Sequence, residues 1–315
     1  MCDKLVSIIL PTYNGSRFIK DSIESIINQT YKNWELIIIN DCSTDNTLNI
    51  CKEYAKNDNR IKIFTNETNK KLPASLNIGF EKACGEYLTW TSDDNMYKEN
   101  AINYMVEYLE KHLNVDFISS DFDYVDENNI FINTQMDRYP NRNLYILPRF
   151  NVVGACFMYR REIINKVGKY DESQFLCEDY DYWFRIALCC NMAFLNNVNL
   201  YKYRESKYNL SSNNVEKVKN KADKIRLKYV IYILSKLKLS KYQIFKYLYE
   251  VFDYKKDIEW ENLIKQEFGF GFLYKKFKLR YLFERYIFSY SFNYKLDHKV
   301  LYFMGIQIKF KYKRS

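Results

Sequence analysis

The run Leu5-Val6-Ser7-Ile8-Ile9-Leu10, stopped by Pro11, constrains this chain most. It is apolar without alternation, so it reads as a strand buried on both faces rather than one lying on a wet sheet surface. The same theme then repeats. Ile19, Ile23, Ile26 and Ile27 fall on one helical face. A second strand, Trp34 to Ile39, precedes a helix carrying Leu48, Ile50, Cys51 and Tyr54. A third, Ile61 to Phe64, precedes a helix ending near Cys84-Gly85, and Tyr87 to Trp90 makes a fourth. This alternation predicts an α/β fold with a mostly parallel sheet covered on both faces. Ligands bind such sheets at the carboxyl ends of the strands. The polar clusters Pro11-Thr12-Tyr13-Asn14-Gly15, Asn40-Asp41-Cys42-Ser43-Thr44-Asp45 and Thr91 to Asn95 all stand there.

After Val115 the pattern loosens. Phe117 to Ser120 and Phe122 to Val125 read as strands, Asp126 to Asn129 as a hairpin turn, and Ile130 to Asn133 as the return strand. Thr134 to Asn143 reads as a mobile loop, Asn151 to Tyr159 as a buried strand, Cys177 to Cys190 as a helix and Val198 to Tyr203 as a last strand. Beyond Asn214 the period is helical, with Val218, Ile225, Tyr229, Ile233 and Leu237 in one stripe.

With 315 residues, 47% of them hydrophobic, the chain can bury a sizeable core. Its eight cysteines form no C-x-x-C pair and read as reduced, mostly buried apolar residues. The first residues lack the basic and apolar regions of a signal peptide, and no stretch is apolar enough to span a bilayer, so a cytoplasmic location is expected. The net charge of +9 is uneven: residues 216–315 hold 24 Lys or Arg against 10 Asp or Glu. A division follows, residues 1–213 carrying the chemistry and residues 214–315 forming a basic, aromatic-rich extension.

Two acidic clusters, Ser92-Asp93-Asp94-Asn95 and Glu178-Asp179-Tyr180-Asp181, each follow an apolar segment. Each has two readings from sequence alone. The first suits a metal-held diphosphate or caps a helix after Met96; the second supplies a general base or starts another helix.

Taken in order, Val6 to Asn14, Ile39 to Asp45, Tyr87 to Asn95 and Glu178 to Trp183 resemble inverting family 2 glycosyltransferases of the GT-A fold. The resemblance spans residues 4–212. It implies a Rossmann-like sheet flanked by helices, followed by a mainly helical extension. Pro11, Thr12, Tyr13 and Asn14 would lie against the nucleotide, and Asp41 would accept the imide N–H of uracil or thymine, favouring a UDP-sugar or dTDP-sugar. Asn40 departs from the family's Asp-Asp pair. Asp94 would ligate Mn²⁺ or Mg²⁺ first, with Asp93 contacting the ribose or metal-bound water and Ser92 among the residues that bind the nucleotide-sugar. Thr91 replaces an acid of the usual metal motif, and Ser206 stands where many relatives place a histidine ligand. Lys71 either adds charge near the diphosphate or is a solvated surface lysine; Asn77 belongs to the same stretch.

Asp179 would be the catalytic base that takes the acceptor hydroxyl's proton. Glu178 would support the loop or bind acceptor, Asp181 cap the helix, and Trp183 lie in its buried face. Gly154 either lets the donor sugar and acceptor approach closely or marks a bulge in a buried strand. The Gln-x-x-Arg-Trp box of processive synthases is absent, which implies single-sugar transfer to a glycan or lipid-linked glycan in cell-surface polysaccharide synthesis. The lysine-aromatic runs, Tyr274 to Tyr281 and Lys309 to Arg314, fit peripheral contact with the inner membrane leaflet; nucleic acid is not expected. The rival reading is a non-catalytic membrane or nucleic-acid binder on a degenerate transferase scaffold.

Overall fold

The computed structural model describes residues 4–210, 212–252, 289–293, 298–303 and 306–311. The chain divides into two compact units, Met1–Ile233 and Leu234–Ser315. In chain order the first unit runs β1 (Val6–Thr12), α1 (Ile19–Ile27), β2 (Trp34–Asn40), α2 (Thr47–Asn57), β3 (Ile61–Thr65), α3 (Leu72–Lys82), β4 (Tyr87–Trp90) and β5 (Met96–Tyr97). It continues through α4 (Ala101–Lys111), β6 (Phe117–Val125), β7 (Phe131–Thr134), α5 (Gln135–Arg138), β8 (Phe157–Arg160), α6 (Glu162–Val167), α7 (Glu178–Cys189), β9 (Met192–Arg204) and most of α8 (Val215–Lys236).

One sheet carries the order β3-β2-β1-β4-β8-β6-β9-β5, with β7 paired to β6. β1, β2, β3 and β4 are parallel, whereas β8 enters antiparallel between β4 and β6. The strands of the parallel half are buried on both faces because their apolar residues serve two cores. Ile8 and Leu10 pack with Ile19, Ile23 and Ile26 of α1 on one side. Ile9, Ile37 and Ile39 pack with Leu76 of α3 and Trp183 and Ile186 of α7 on the other. Each isoleucine so buried stabilises the fold by roughly 1.5–3 kcal/mol relative to exposure. Removing either helical layer would leave half of every strand wet.

The second half departs from the expected elements in four places. Phe117 to Val125 is a single strand, since Asp121 in its middle is buried against Arg142 at 2.7 Å rather than turned to water. Of the stretch Asn151 to Tyr159 only Phe157 onward is a strand: the Val152 carbonyl accepts from Arg142 Nη1 at 3.0 Å, outside any ladder. The expected loop at Thr134 opens instead as α5, whose capping box pairs Thr134 with Asp137. The last strand begins at Met192, well before Val198.

Val218 and the buried Ala222, Ile225, Tyr229 and Ile233 of α8 join the core of the first unit, so that unit continues past residue 213. The second unit contains α9 (Lys241–Phe252) and an antiparallel meander, β10 (Ser289–Asn293), β11 (His298–Phe303) and β12 (Ile306–Lys311). The extension is thus helical in its first part and carries strands in its last. Tyr274 to Tyr281 and Tyr312 to Arg314 lie outside the described residues, as does Cys2. The other seven cysteines are free. Among the described residues no helix is long and apolar enough to cross a membrane.

Candidate active site

The ends of β1, β2 and β4 are laced together beyond their regular pairing. Asp41 N donates to Thr12 O at 2.8 Å and Thr91 N to Ile9 O at 2.9 Å, bringing three polar loops side by side. Here and on the facing wall, Pro11, Thr12, Tyr13, Asp41, Lys71, Ser92, Asp93, Asp94, Gly154, Glu178 and Asp179 line one cleft of about 760 Å³.

Asp41 is held by three donors: Asn66 Nδ2, Lys70 N and Lys71 N, each at 2.8 Å. A carboxylate has about four lone-pair sites, so one remains for an incoming N–H. The loop that makes these bonds turns at Lys71, whose φ is +74°. Asn40 closes an Asx-type turn through Ser43 N at 3.3 Å, and Asp45 accepts from Thr47 N at 3.0 Å at the start of α2.

Asp93 Oδ2 accepts from Thr12 Oγ1 at 2.5 Å, joining β1 to the loop after β4. Ser92 to Asn95 cap no helix: β5 intervenes, and α4 begins only at Ala101. Burial pushes the Asp93 carboxyl up to about 6, against the Thr12 hydrogen bond. Burial and then the neighbouring Asp93 charge push Asp94 up to about 7. Adjacent carboxylates that resist ionising together are relieved by a cation.

The donor set fits Mg²⁺ or Mn²⁺. Such ions are commonly held by one or two carboxylates with substrate phosphates and water completing the shell. Among the described residues no third His, Cys, Asp or Glu groups with the pair. Ser206, at the expected histidine position, donates its hydroxyl to Asn209 Oδ1 at 2.6 Å. Behind the site, Arg204 is fully buried and reaches Asp21 and Asn129, both at 2.6 Å, while its charge favours ionised Asp94.

The facing wall is the first turn of α7. Asp179 Oδ2 accepts from Asn151 Nδ2 at 2.8 Å and its Oδ1 from Tyr180 N at 2.7 Å. Burial raises Asp179 above the ordinary carboxylate range, opposed by the Asn151 bond. Burial and the Asp179 charge raise Glu178 as well. Asp181 caps nothing; it ties Arg185 Nε at 2.7 Å and Tyr229 Oη at 3.0 Å, joining α7 to α8.

Three expected site residues lie outside the cleft. Asn14 Oδ1 accepts from Thr44 N at 2.8 Å and shapes the loop. Asn77 brackets the Tyr170 backbone, donating at 3.0 Å and accepting at 2.8 Å, so it is a strut. Trp183 is fully buried in the core. Gly154 does line the cleft, but its φ is +75° and a Cβ there would overlap the Phe122 ring and sit 2.6 Å from Gln135 Nε2. The close approach that needs glycine is to the protein itself.

Gln135, Arg226 and Gly15 were hidden in the sequence. Gln135 enters the cleft from α5, and Arg226 from α8, where its Nε donates to Tyr180 Oη at 3.2 Å. Gly15 has no room for a side chain: a Cβ would overlap Asp93 Oδ2 and lie 2.8 Å from Thr12 Oγ1. The Asn-Gly pair after β1 was its only sequence signal.

The profile of Glycosyl transferase family 2 matches residues 7–168. An Escherichia coli relative, UDP-Glc:alpha-D-GlcNAc-diphosphoundecaprenol beta-1,3-glucosyltransferase WfgD, is 30% identical over 227 residues, covering 71% of this chain and 86% of that one. The chain belongs to Glycosyl transferase family 2. An uncharacterized glycosyltransferase of Rickettsia typhi is 32% identical over 197 residues, 60% of this chain. The match spans 61% of that relative, less than two thirds of its length. Among solved structures, S. aureus TarS in complex with UDP-GlcNAc aligns with a TM-score of 0.59 at 16% identity, over 97% of this chain and 99% of that one. Mannosyltransferase PcManGT from Pyrobaculum calidifontis, in complex with GDP-Man and Mn²⁺, aligns with a TM-score of 0.55 at 13% identity, over 89% and 87%. At such identities the likeness is one of fold, and the fold of this family 2 glycosyltransferase is GT-A.

Proposed function

We propose that this transferase moves a single sugar, with inversion, from a UDP-sugar or dTDP-sugar to a glycan or lipid-linked glycan acceptor in cell-surface polysaccharide synthesis. The observation that carries this reading is that the adjacent Asp93 and Asp94 and the sequence-distant Asp179 line one cleft at the carboxyl ends of the parallel strands.

Asp41 offers its remaining acceptor site to a base with an imide N–H, which uracil and thymine have and cytosine and adenine lack at that edge. Thr12, Tyr13 and Lys71 would flank the nucleotide, and Asp93 and Asp94 would hold the metal. Held there, Mn²⁺ or Mg²⁺ would supply the positive charge that a departing diphosphate needs. From the opposite wall, ionised Asp179 takes the proton of the acceptor hydroxyl as its oxygen attacks the anomeric carbon. The E. coli relative's name specifies a UDP-sugar donor and a diphosphoundecaprenol-linked acceptor, which supports a lipid-linked acceptor here. The basic extension would hold the enzyme on the inner membrane face; nucleic acid has no part.

Thermal unfolding tests the reading. UDP with Mn²⁺ should stabilise the chain, by about 2.7 kcal/mol at a ligand concentration 100 times Kd, and Asp94→Ala should abolish this. A non-catalytic binder on a degenerate scaffold gives no UDP response, and its vesicle or oligonucleotide binding ignores Asp94→Ala.

A further inference from the structure

Several buried polar side-chain atoms among the described residues receive no hydrogen bond from the protein, and those that belong to cleft-lining residues are all oxygens: Gln135 Oε1, Asn151 Oδ1 and Glu178 Oε2. The amide orientations are set by their other ends. Asn151 Nδ2 donates to Asp179 Oδ2 at 2.8 Å and Gln135 Nε2 to Val152 O at 3.4 Å. Turning either amide would set oxygen against oxygen, so each oxygen keeps this orientation and lacks a donor from the protein.

The three belong to one wall. Gln135 lies against Gly154, Asn151 holds Asp179, and Glu178 precedes Asp179 in the first turn of α7. Burying unpaired acceptors is costly, and the cost is recovered by a ligand that donates. A phosphate or carboxylate brings more acceptor oxygens and repulsion; an apolar group leaves the oxygens orphaned. Hydroxyls donate, and they also accept if Glu178 presents its protonated oxygen.

We propose that Gln135, Asn151 and Glu178 form a hydroxyl-reading subsite for a neutral acceptor sugar, and that Gln135 and Asn151 determine which acceptor is used. The inference rests on the transferase reading, because it takes the wall beside Asp179 as the acceptor side. Gln135 lies outside the four motifs that carry the family resemblance, on a helix whose capping box fixes its position.

The test uses the full chain with Mn²⁺ and a UDP-sugar panel. Octyl glucoside, galactoside, mannoside and N-acetylglucosaminide serve as acceptors, and UDP release is the readout. Monodeoxy analogues of the best acceptor follow. Gln135→Met, which keeps the length and removes the oxygen, should raise the glycoside KM about tenfold or more. It should also erase the preference of the unsubstituted enzyme for the parent glycoside over one deoxy analogue, with UDP affinity kept. An unchanged preference in Gln135→Met, or an equal loss of UDP affinity, overturns the subsite. If the enzyme binds UDP but no glycoside drives UDP release, the neutral-sugar subsite falls while the transferase reading stands. If it binds no UDP, both fall.

Discussion

Asn151 Nδ2 donates to Asp179 Oδ2 across 2.8 Å, tying an irregular loop to the first turn of α7. The bond favours the charged carboxylate, while burial favours the neutral one and prevails, so Asp179 titrates above the ordinary range. A base must be ionised to act, so kcat/KM should fall as pH drops through this raised value. Glu178 titrates beside it, and the observed limb belongs to the pair. Asn151→Ala removes a donor to the charged form and should move the acid limb to higher pH. A pH profile of UDP release checks it; a uniform loss at every pH, with the limb unmoved, would mean that Asn151 only shapes the loop.

Gly15 and Asp93 give a second prediction. A methyl at residue 15 would overlap Asp93 Oδ2 and crowd Thr12 Oγ1, pushing the carboxylate off its partner. Gly15→Ala should therefore weaken Mn²⁺-dependent UDP binding about tenfold or more, the scale of one lost charged hydrogen bond. Calorimetric titration with UDP reads this directly, and undiminished affinity would show that Asp93 is free to move.

The pair Arg142–Asp121 concerns stability. Both side chains are essentially inaccessible, at 0% and 1% exposure, with Nε 2.7 Å from the carboxylate. Asp121 also accepts from Asn197 N at 2.5 Å, and Arg142 bonds Ser119 Oγ at 2.6 Å. Asp121→Ala leaves a buried guanidinium unpaired and should cost about 3–5 kcal/mol in urea unfolding. A loss under about 1 kcal/mol would mean that water reaches the site.

The parallel half was legible because its signal is local. Ile8, Ile37 and their neighbours form unbroken apolar runs, and a buried parallel strand has no other pattern. Thr12, Asp41, Asp93 and Asp94 were legible for a related reason, standing where those runs stop. Beyond β4 the signal fails: Asp121 reads as a break in a strand but is buried by a residue 21 positions on, and Arg142 falls in the polar stretch that reads as a mobile loop. Nothing within a local window announces that pairing. Asn77 misled for the converse reason. It lies in a stretch near the nucleotide loops, yet its amide is committed to Tyr170, 93 residues away. The subsite oxygens of Gln135 and Asn151 depend on loop conformation, which spacing does not encode.

Asp179 carries the central claim, and Asp179→Asn tests it most directly because the amide keeps the shape and removes the base. With the best donor and acceptor of the panel, transfer by Asp179→Asn should fall about 10²- to 10⁴-fold while Mn²⁺-dependent UDP binding is retained. Full transfer with UDP binding intact would contradict the assignment of Asp179 as the base.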